Sequence, residues 1–234
     1  METMTTSIIL PFLVFFPFLG AVISYIIGRS NKGARDIWCW ILSAVIFIAS
    51  LTLIGKETVY SLRGFCGLGL SFVADGFGVI LAVLTGAIWL ITTIFSKEYM
   101  AAERNRNRYY FFVFLTLGAT MGIFLSADLF TTFIFFEIMS FTSFVLVMHD
   151  EEDFTVRSAK TYLAVAVIGG LVTLMGLFMM YQKACRFHDE EIANNILHTD
   201  NVAEIKKLGR KVHAYDENVW NGVRQLIVYE GLKA

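Results

Sequence analysis

Long apolar stretches separated by short polar segments occupy the chain from Ile8 to Tyr181. A helix needs roughly 20 apolar residues to cross a bilayer core, and a helix bonds its own backbone groups in lipid. Six stretches meet that length within error, so the pattern predicts six transmembrane helices. The predicted spans are Ile8–Ile27, Ile37–Ile54, Phe77–Phe95, Tyr109–Leu125, Ala127–Met148 and Ala159–Tyr181.

Two polar regions complete the predicted fold. Between spans two and three, glycines interleave with β-forming residues in GFCGLGLSFVADG, which predicts a short hairpin lying on the helical bundle. Asp128, in the tight connection before span five, is predicted to cap that helix. After Tyr181, short amphipathic patterns predict a soluble tail. The expected fold class is an all-α membrane protein with six transmembrane helices, this hairpin, and a short soluble α-helical tail.

The distribution of basic residues predicts the orientation of the spans. The connections between spans one and two, three and four, and five and six hold nine basic residues, whereas the alternate connections hold two. Excess Lys and Arg mark the cytoplasmic side, so we expect a multi-pass cell-membrane protein with its N-terminus outside. The nine are Arg29, Lys32, Arg35, Lys97, Arg104, Arg106, Arg108, Arg157 and Lys160.

Composition narrows the candidate chemistry. The mean hydropathy is +0.64 and the chain contains 22 Phe, almost all before Tyr181. The three Cys have neither metal-binding nor redox spacing, and nothing indicates a metal, flavin, haem or iron–sulfur cofactor. The basic run KKLGRK fits a solvated helix end better than a nucleic-acid patch, so no nucleic-acid partner is expected. The lipid bilayer is the expected environment.

Glu137 is an ionisable residue inside predicted span five, where an ionisable side chain needs an explanation. It follows Asp128 by nine residues, about 14 Å along a helix, which places it near the middle of the bilayer. A charge there costs about 2.5 kcal/mol or more, which favours a proton or cation path over a protonated, hydrogen-bonded structural residue. Ser140 and Ser143 extend a polar seam along the same face. Lys160 is a weaker candidate, because an interfacial lysine can extend to water.

These residues carry a resemblance to a known family. The stretches SADLFTTFIFFEIMSFTSFVLV, SAKTYLAVAVIGGLVTLMGLF and GLSFVADGFGVIL resemble the antiporter-like, proton-conducting subunits of respiratory complex I, Mrp-type cation/proton antiporters and membrane-bound hydrogenases. The resemblance covers about residues 7–178 and implies that Glu137 is the channel glutamate. In that family a lysine beyond span six pairs with the glutamate, so we expect a truncated subunit, associated with other membrane subunits of such an assembly.

The remaining residues, about 179–234, resemble an internal fragment of the NADAR domain, a soluble α-helical family. The segments MMYQKACRFHDEEIANNIL and KKLGRKV, with the EGL motif near the C-terminus, carry this second resemblance. It implies N-glycosidase chemistry on riboflavin-pathway intermediates or action on ADP-ribose. Asp216 and Trp220 match positions that line the pocket, whereas Gly176 stands where the catalytic glutamate is expected.

Three functional interpretations therefore stay open. The first is a truncated antiporter-like subunit that does not conduct alone. The second is a NADAR-type N-glycosidase fragment attached to a membrane domain, although no intact catalytic site is visible. The third is a chimeric reading frame without function, joined near residue 178 between a membrane domain, 1–178, and a partial NADAR-like segment, 179–234.

Overall fold

The computed structural model describes residues 5–62, 69–101 and 105–197, with side chains described from residue 7 to residue 183 within those ranges. The chain divides into two compact units, Met1–Gly170 and Leu171–Ala234, and each is described by itself. The predicted tail beyond residue 197 lies outside the described residues.

Six α-helices and three short β-strands make up the described part of the chain. The helices are α1 (Ile9–Ser30), α2 (Lys32–Leu51), α3 (Gly76–Tyr99), α4 (Arg106–Phe124), α5 (Leu129–Val147) and α6 (Asp153–Leu197), and the strands are β1 (Thr5–Thr6), β2 (Thr58–Leu62) and β3 (Leu70–Ala74).

Five of these helices are long and apolar enough to cross a membrane, as expected for a multi-pass membrane protein. They are α1, α2, α3, α5 and the Asp153–Lys183 portion of α6. The exception is α4, predicted as the fourth span, which contacts α1, α3 and α5. Its first three residues, Arg106, Asn107 and Arg108, are polar and lower the mean hydropathy of a helix whose remaining residues are mainly apolar.

The connection between α1 and α2 is much shorter than predicted. α1 continues to Ser30 and α2 begins at Lys32, so the two helices are separated by Asn31 alone. The Asn31 side chain accepts hydrogen bonds from the backbone N–H groups of Gly33 and Ala34, at 2.9 and 3.1 Å. Asparagine is a strong N-cap because its oxygen satisfies these otherwise unpaired donors. As a consequence, basic residues predicted in a loop lie on helix α2.

Helix α6 also extends beyond the predicted span. It begins at Asp153 and continues to Leu197, whereas the apolar pattern predicts Ala159 to Tyr181. The segment DEEIANNIL, which the sequence pattern assigns to the soluble tail, is therefore continuous with α6 in its backbone.

A small sheet lies at one end of the helices. β2 and β3 pair antiparallel from Thr58 opposite Ala74 to Leu62 opposite Leu70, and β1 pairs parallel with β2. β3 also bonds to the α4–α5 connection, through Val73 N–H to the Leu125 carbonyl at 2.8 Å. The sheet therefore links the N-terminal strand, the segment between α2 and α3, and the α4–α5 connection.

Glycines permit the close packing of the core helices. A Cβ at Gly118 of α4 would lie 2.6 Å from the Phe18 ring and 2.9 Å from the Val14 carbonyl oxygen, both on α1. Gly122, one turn later, faces the ring of Phe135 on α5. Without a hydrophobic driving force between helices in lipid, small residues that bring backbones together are a main source of packing energy. α4 is therefore held to α1 and α5 through these two positions.

We expect Gly118→Ala to lower the free energy of unfolding by about 1–3 kcal/mol, because the methyl group overlaps a backbone carbonyl that cannot move independently. Gly169→Ala is the matched control, since a Cβ there would meet no atom within 4 Å. Thermal unfolding of the purified protein in detergent, followed by tryptophan fluorescence, measures both. Equal melting temperatures for the two variants would contradict the assigned role of Gly118.

Candidate functional site

Glu137 is positioned by helix α5, whose first turn is fixed by Asp128. The Asp128 carboxylate accepts a hydrogen bond from the Thr131 N–H at 2.8 Å and another from the Thr131 hydroxyl at 2.8 Å. The predicted N-cap is thus confirmed. Glu137 lies nine residues further on, about 14 Å along the helix axis. That distance is close to half the thickness of a bilayer core.

The Glu137 carboxyl group packs against the backbone of α6. A methyl group at Gly170 would overlap Oε1 and would lie 2.8 Å from Cδ and 2.9 Å from Oε2. Oε1 is buried and has no hydrogen-bond partner among the described residues. A buried polar oxygen without a partner is costly, and such groups in native structures call for an explanation. Gly170 therefore provides the space that this carboxyl occupies.

The predicted polar seam along α5 has a different arrangement. The Ser140 hydroxyl is buried and donates to the Phe136 carbonyl one turn earlier, at 3.0 Å, so it bonds its own helix. Thr142 forms the interhelical bond instead, with the hydroxyl of Thr116 on α4 at 2.9 Å. Ser143 is half-buried. The polar groups of α5 thus hold α5 to α4 at Thr142, away from Glu137.

Lys160, the weaker sequence candidate, is exposed on α6. It precedes Gly170 by ten residues, roughly 15 Å along the helix axis, and so it does not lie beside the Glu137 carboxyl. Of the residues with NADAR-like assignments, Gly176 lies within the apolar part of α6, whereas Asp216 and Trp220 lie outside the described residues. No group of residues able to hold a metal ion occurs in the described part of the chain.

The structure contains a buried charge cluster that sequence reasoning missed. Arg35 of α2 is 0% exposed, and its guanidinium donates to the Asp36 carboxylate at 2.7 and 3.1 Å and to the Asn107 side chain. Arg106 of α4 approaches the other Asp36 oxygen at 3.4 Å. The Arg35 guanidinium also lies over the Tyr110 ring, 4.7 Å from its centroid. The prediction that Arg35 and Arg106 lie in loops is wrong, because both belong to helices.

A second ion pair joins the first turn of α4 to the α5–α6 connection at the same end of the helices. Arg108 forms a salt bridge with Glu151, which follows α5, and donates to the His149 carbonyl at 2.9 Å. The Tyr109 and His149 rings meet edge to face. The signal that could have revealed these contacts is the placement of three basic residues at alternating positions before the apolar part of α4, namely Arg104, Arg106 and Arg108.

Comparison with curated proteins shows that the chain is similar to antiporter subunits. It is 28% identical over 207 residues to a Staphylococcus epidermidis protein whose name describes an antiporter subunit, mnhD2, covering 85% of this chain and 40% of that protein. The Staphylococcus aureus protein of the same name is 27% identical over 198 residues, with 81% of this chain and 39% of that protein covered. The chain therefore spans about two-fifths of the length of these relatives.

A solved structure shares the fold. The chain matches a subunit of the membrane-bound sulfane sulfur reductase, described as an archaeal respiratory membrane complex, with a TM-score of 0.69 and 16% identity. The match covers 75% of this chain and 37% of that one. The curated relatives and the solved structure are thus all subunits of multi-component membrane systems.

The NADAR domain model matches residues 144–234. The match begins near the end of α5, whereas the sequence pattern placed the start of the NADAR-like segment near residue 179. Because the antiporter match covers 85% of the chain, the two similarities overlap along α6.

Gly170→Ala is expected to displace the Glu137 carboxyl, at little cost in stability because the atoms it meets are the end of a flexible side chain. We expect labelling of Glu137 by a lipid-soluble carbodiimide to become faster, since the buried oxygen moves towards accessible space. Mass spectrometry of the labelled peptide measures the rate, and Gly169→Ala is the control. Indistinguishable rates in Gly170→Ala and Gly169→Ala would refute the contact.

Proposed function

We propose that this chain is a proton-conducting, antiporter-like membrane subunit in which Glu137 changes its protonation as a proton passes. The observation that carries the proposal is the buried Oε1 of Glu137 at mid-helix depth, which has no hydrogen-bond partner among the described residues. An ionisable group at this depth is costly in lipid and is generally retained for ion or proton transfer. Similarity to antiporter subunits supports the same role.

The surroundings of Glu137 suit a group that takes up and releases a proton. No cation is bonded to this carboxyl among the described residues, so the compensating charge must come from another helix or another subunit when the proton leaves. Gly170 leaves the carboxyl room without providing a hydrogen-bonding side chain. We infer that conduction requires other membrane subunits of a complex I-like or antiporter assembly.

The arrangement of the two ends of the helices supports alternating spans, with α4 included. The sheet brings β1, the α2–α3 segment and the α4–α5 connection to one end. The α1–α2 boundary, the start of α4 and the α5–α6 connection meet at the other end, through Arg35–Asn107 and Arg108–Glu151. We propose six crossings, with the β2–β3 pair as a hairpin on the bundle.

The same alternation supports an orientation. The basic connections lie at the end opposite the N-terminal strand, and excess basic residues favour the cytoplasmic side. We therefore propose that the N-terminus and the sheet face outward across the cell membrane.

Glu137→Gln is expected to abolish proton flux while membrane insertion stays intact, because the amide keeps the shape of the side chain but cannot titrate. Flux is measured with a pH-sensitive dye in vesicles that contain the chain together with its assembly. Glu98→Gln is the control, since Glu98 is exposed at the end of α3. Glu137→Asp should retain partial flux, and normal flux in Glu137→Gln would eliminate the proposed role.

The NADAR match favours a second candidate, in which an N-glycosidase-related segment follows a membrane domain. Its catalytic glutamate position is occupied by Gly176, so we propose no hydrolysis at this site.

A join between unrelated coding sequences near residue 178 also accounts for two resemblances in one chain. Long-read sequencing of genomic DNA across codons 176–185 tests the join: continuous reads through it establish one gene, whereas reads that diverge there establish two separate fragments.

A further inference from the structure

A cleft of about 910 Å³ opens at the basic end of the helices, between the C-terminal part of α1 and the N-terminal turns of α2 and α4. We call it the basic cleft. Lys32, Arg35, Arg106 and Arg108 supply its charge, and Tyr25 and Phe111 supply an aromatic wall. Among the residues that the structure describes, none that lines the cleft is acidic. The function proposed above makes no use of this cleft.

The charge of the basic cleft is only partly compensated. Asp36 binds Arg35 and Arg106, and Glu151 binds Arg108, so two carboxylates pair with four cations when only the described residues are counted. Lys32 is exposed and has no ion-pair partner within the described part of the chain. A positive surplus concentrated in a concave surface attracts an anion more strongly than the same charges spread over a flat one.

The positions of these cations within their helices strengthen the argument. Lys32 is the first residue of α2 and Arg106 the first residue of α4. Helix N-termini carry a partial positive charge and favour acidic side chains, yet neither first turn contains one. Two helix N-termini with added Lys and Arg thus converge on one cleft, an arrangement that an external anion would stabilise.

The floor of the cleft is built to hold the guanidinium groups in place. At Gly28 of α1, a Cβ would overlap the Asn107 side-chain oxygen and lie 2.9 Å from Cδ of Arg35. Because Gly28 has no side chain, Arg35 and Asn107 pack directly on the α1 backbone. Arg35 is therefore held in place at the floor of the cleft before an anion binds, which lowers the entropy lost on binding.

The aromatic wall decides which kind of anion fits. The rings of Tyr25 and Phe111 meet edge to face with centroids 5.8 Å apart, and Tyr25 is 42% exposed. Aromatic residues with a partly wet surface suit the boundary between headgroups and acyl chains. Guanidinium groups bind phosphate oxygens in paired geometry, and basic pockets between membrane helices bind anionic headgroups.

We propose that the basic cleft binds the headgroup of an anionic phospholipid, with its phosphate between Lys32, Arg106 and Arg108 and its glycerol end against Tyr25 and Phe111. The lipid would link α1, α2 and α4 at the basic end. Inorganic phosphate shares the charge but lacks the apolar part, so the two sources can be separated experimentally.

The test is native mass spectrometry of the full chain in a neutral detergent, titrated with phosphatidylglycerol, phosphatidylcholine or inorganic phosphate. We expect tight binding of phosphatidylglycerol and much weaker binding of phosphatidylcholine. Lys32→Gln should weaken phosphatidylglycerol binding about fivefold. The matched control is Arg29→Gln, which removes a charge from the exposed end of α1, outside the cleft, and should leave binding unchanged.

Lys32 makes no side-chain bond in the described part of the chain, so Lys32→Gln is expected to fold normally, and its melting temperature verifies this. Equal losses of phosphatidylglycerol affinity in Lys32→Gln and Arg29→Gln would contradict a specific site and would indicate diffuse electrostatic attraction to the surface. Competition by inorganic phosphate at the same concentration as phosphatidylglycerol would overturn the lipid assignment, as would equal affinity for phosphatidylcholine. Because binding is measured without flux, failure of the channel role leaves this result unaffected.

Discussion

The structure depends on the close approach of α4 to its neighbours. Gly118 and Gly122 remove the side chains that would separate α4 from α1 and α5, and Thr116 adds a hydrogen bond to Thr142. Both ends of the bundle formed by α1 to α5 depend on this helix: its first turn carries basic residues, and its last residues lead into the bond with β3. A shift of α4 would therefore disturb the charge cluster and the sheet together.

The ionisable residues Arg35 and Glu137 have opposite surroundings. At the basic end, Arg35 is fully buried but has Asp36, Asn107 and the Tyr110 ring around it, so its charge is compensated. Glu137 has the reverse arrangement, with a buried oxygen that bonds to nothing described and a glycine opposite. The first arrangement suits a structural role, and the second suits the proton-transfer role proposed for Glu137.

The apolar pattern predicted the five helices that are long and apolar enough to cross a membrane, because lipid imposes a length and composition on each exposed span. The Asp128 cap was predictable for a similar reason, since its bonds are local. The short α1–α2 boundary was not predictable in the same way. The three nearby charges favoured a loop, and only the single Asn31 cap indicated that a second helix begins at once. The Arg35–Asp36–Arg106 cluster joins residues about seventy positions apart, and no local pattern indicates which basic residues turn inward. For the same reason the sequence identified Glu137 but not Gly170, its neighbour on another helix.

The small sheet has a consequence for the order in which the chain assembles during synthesis. β1 is made first, but its partner β2 emerges only after α1 and α2, and the bond from Val73 needs a carbonyl that follows α4. The N-terminal strand therefore stays unpaired until α1 and α2 have been synthesised, and the sheet bonds to the α4–α5 connection only after four of the six described helices. Formation of the complete sheet is therefore a late step in assembly. It requires that α1 to α4 have already packed together.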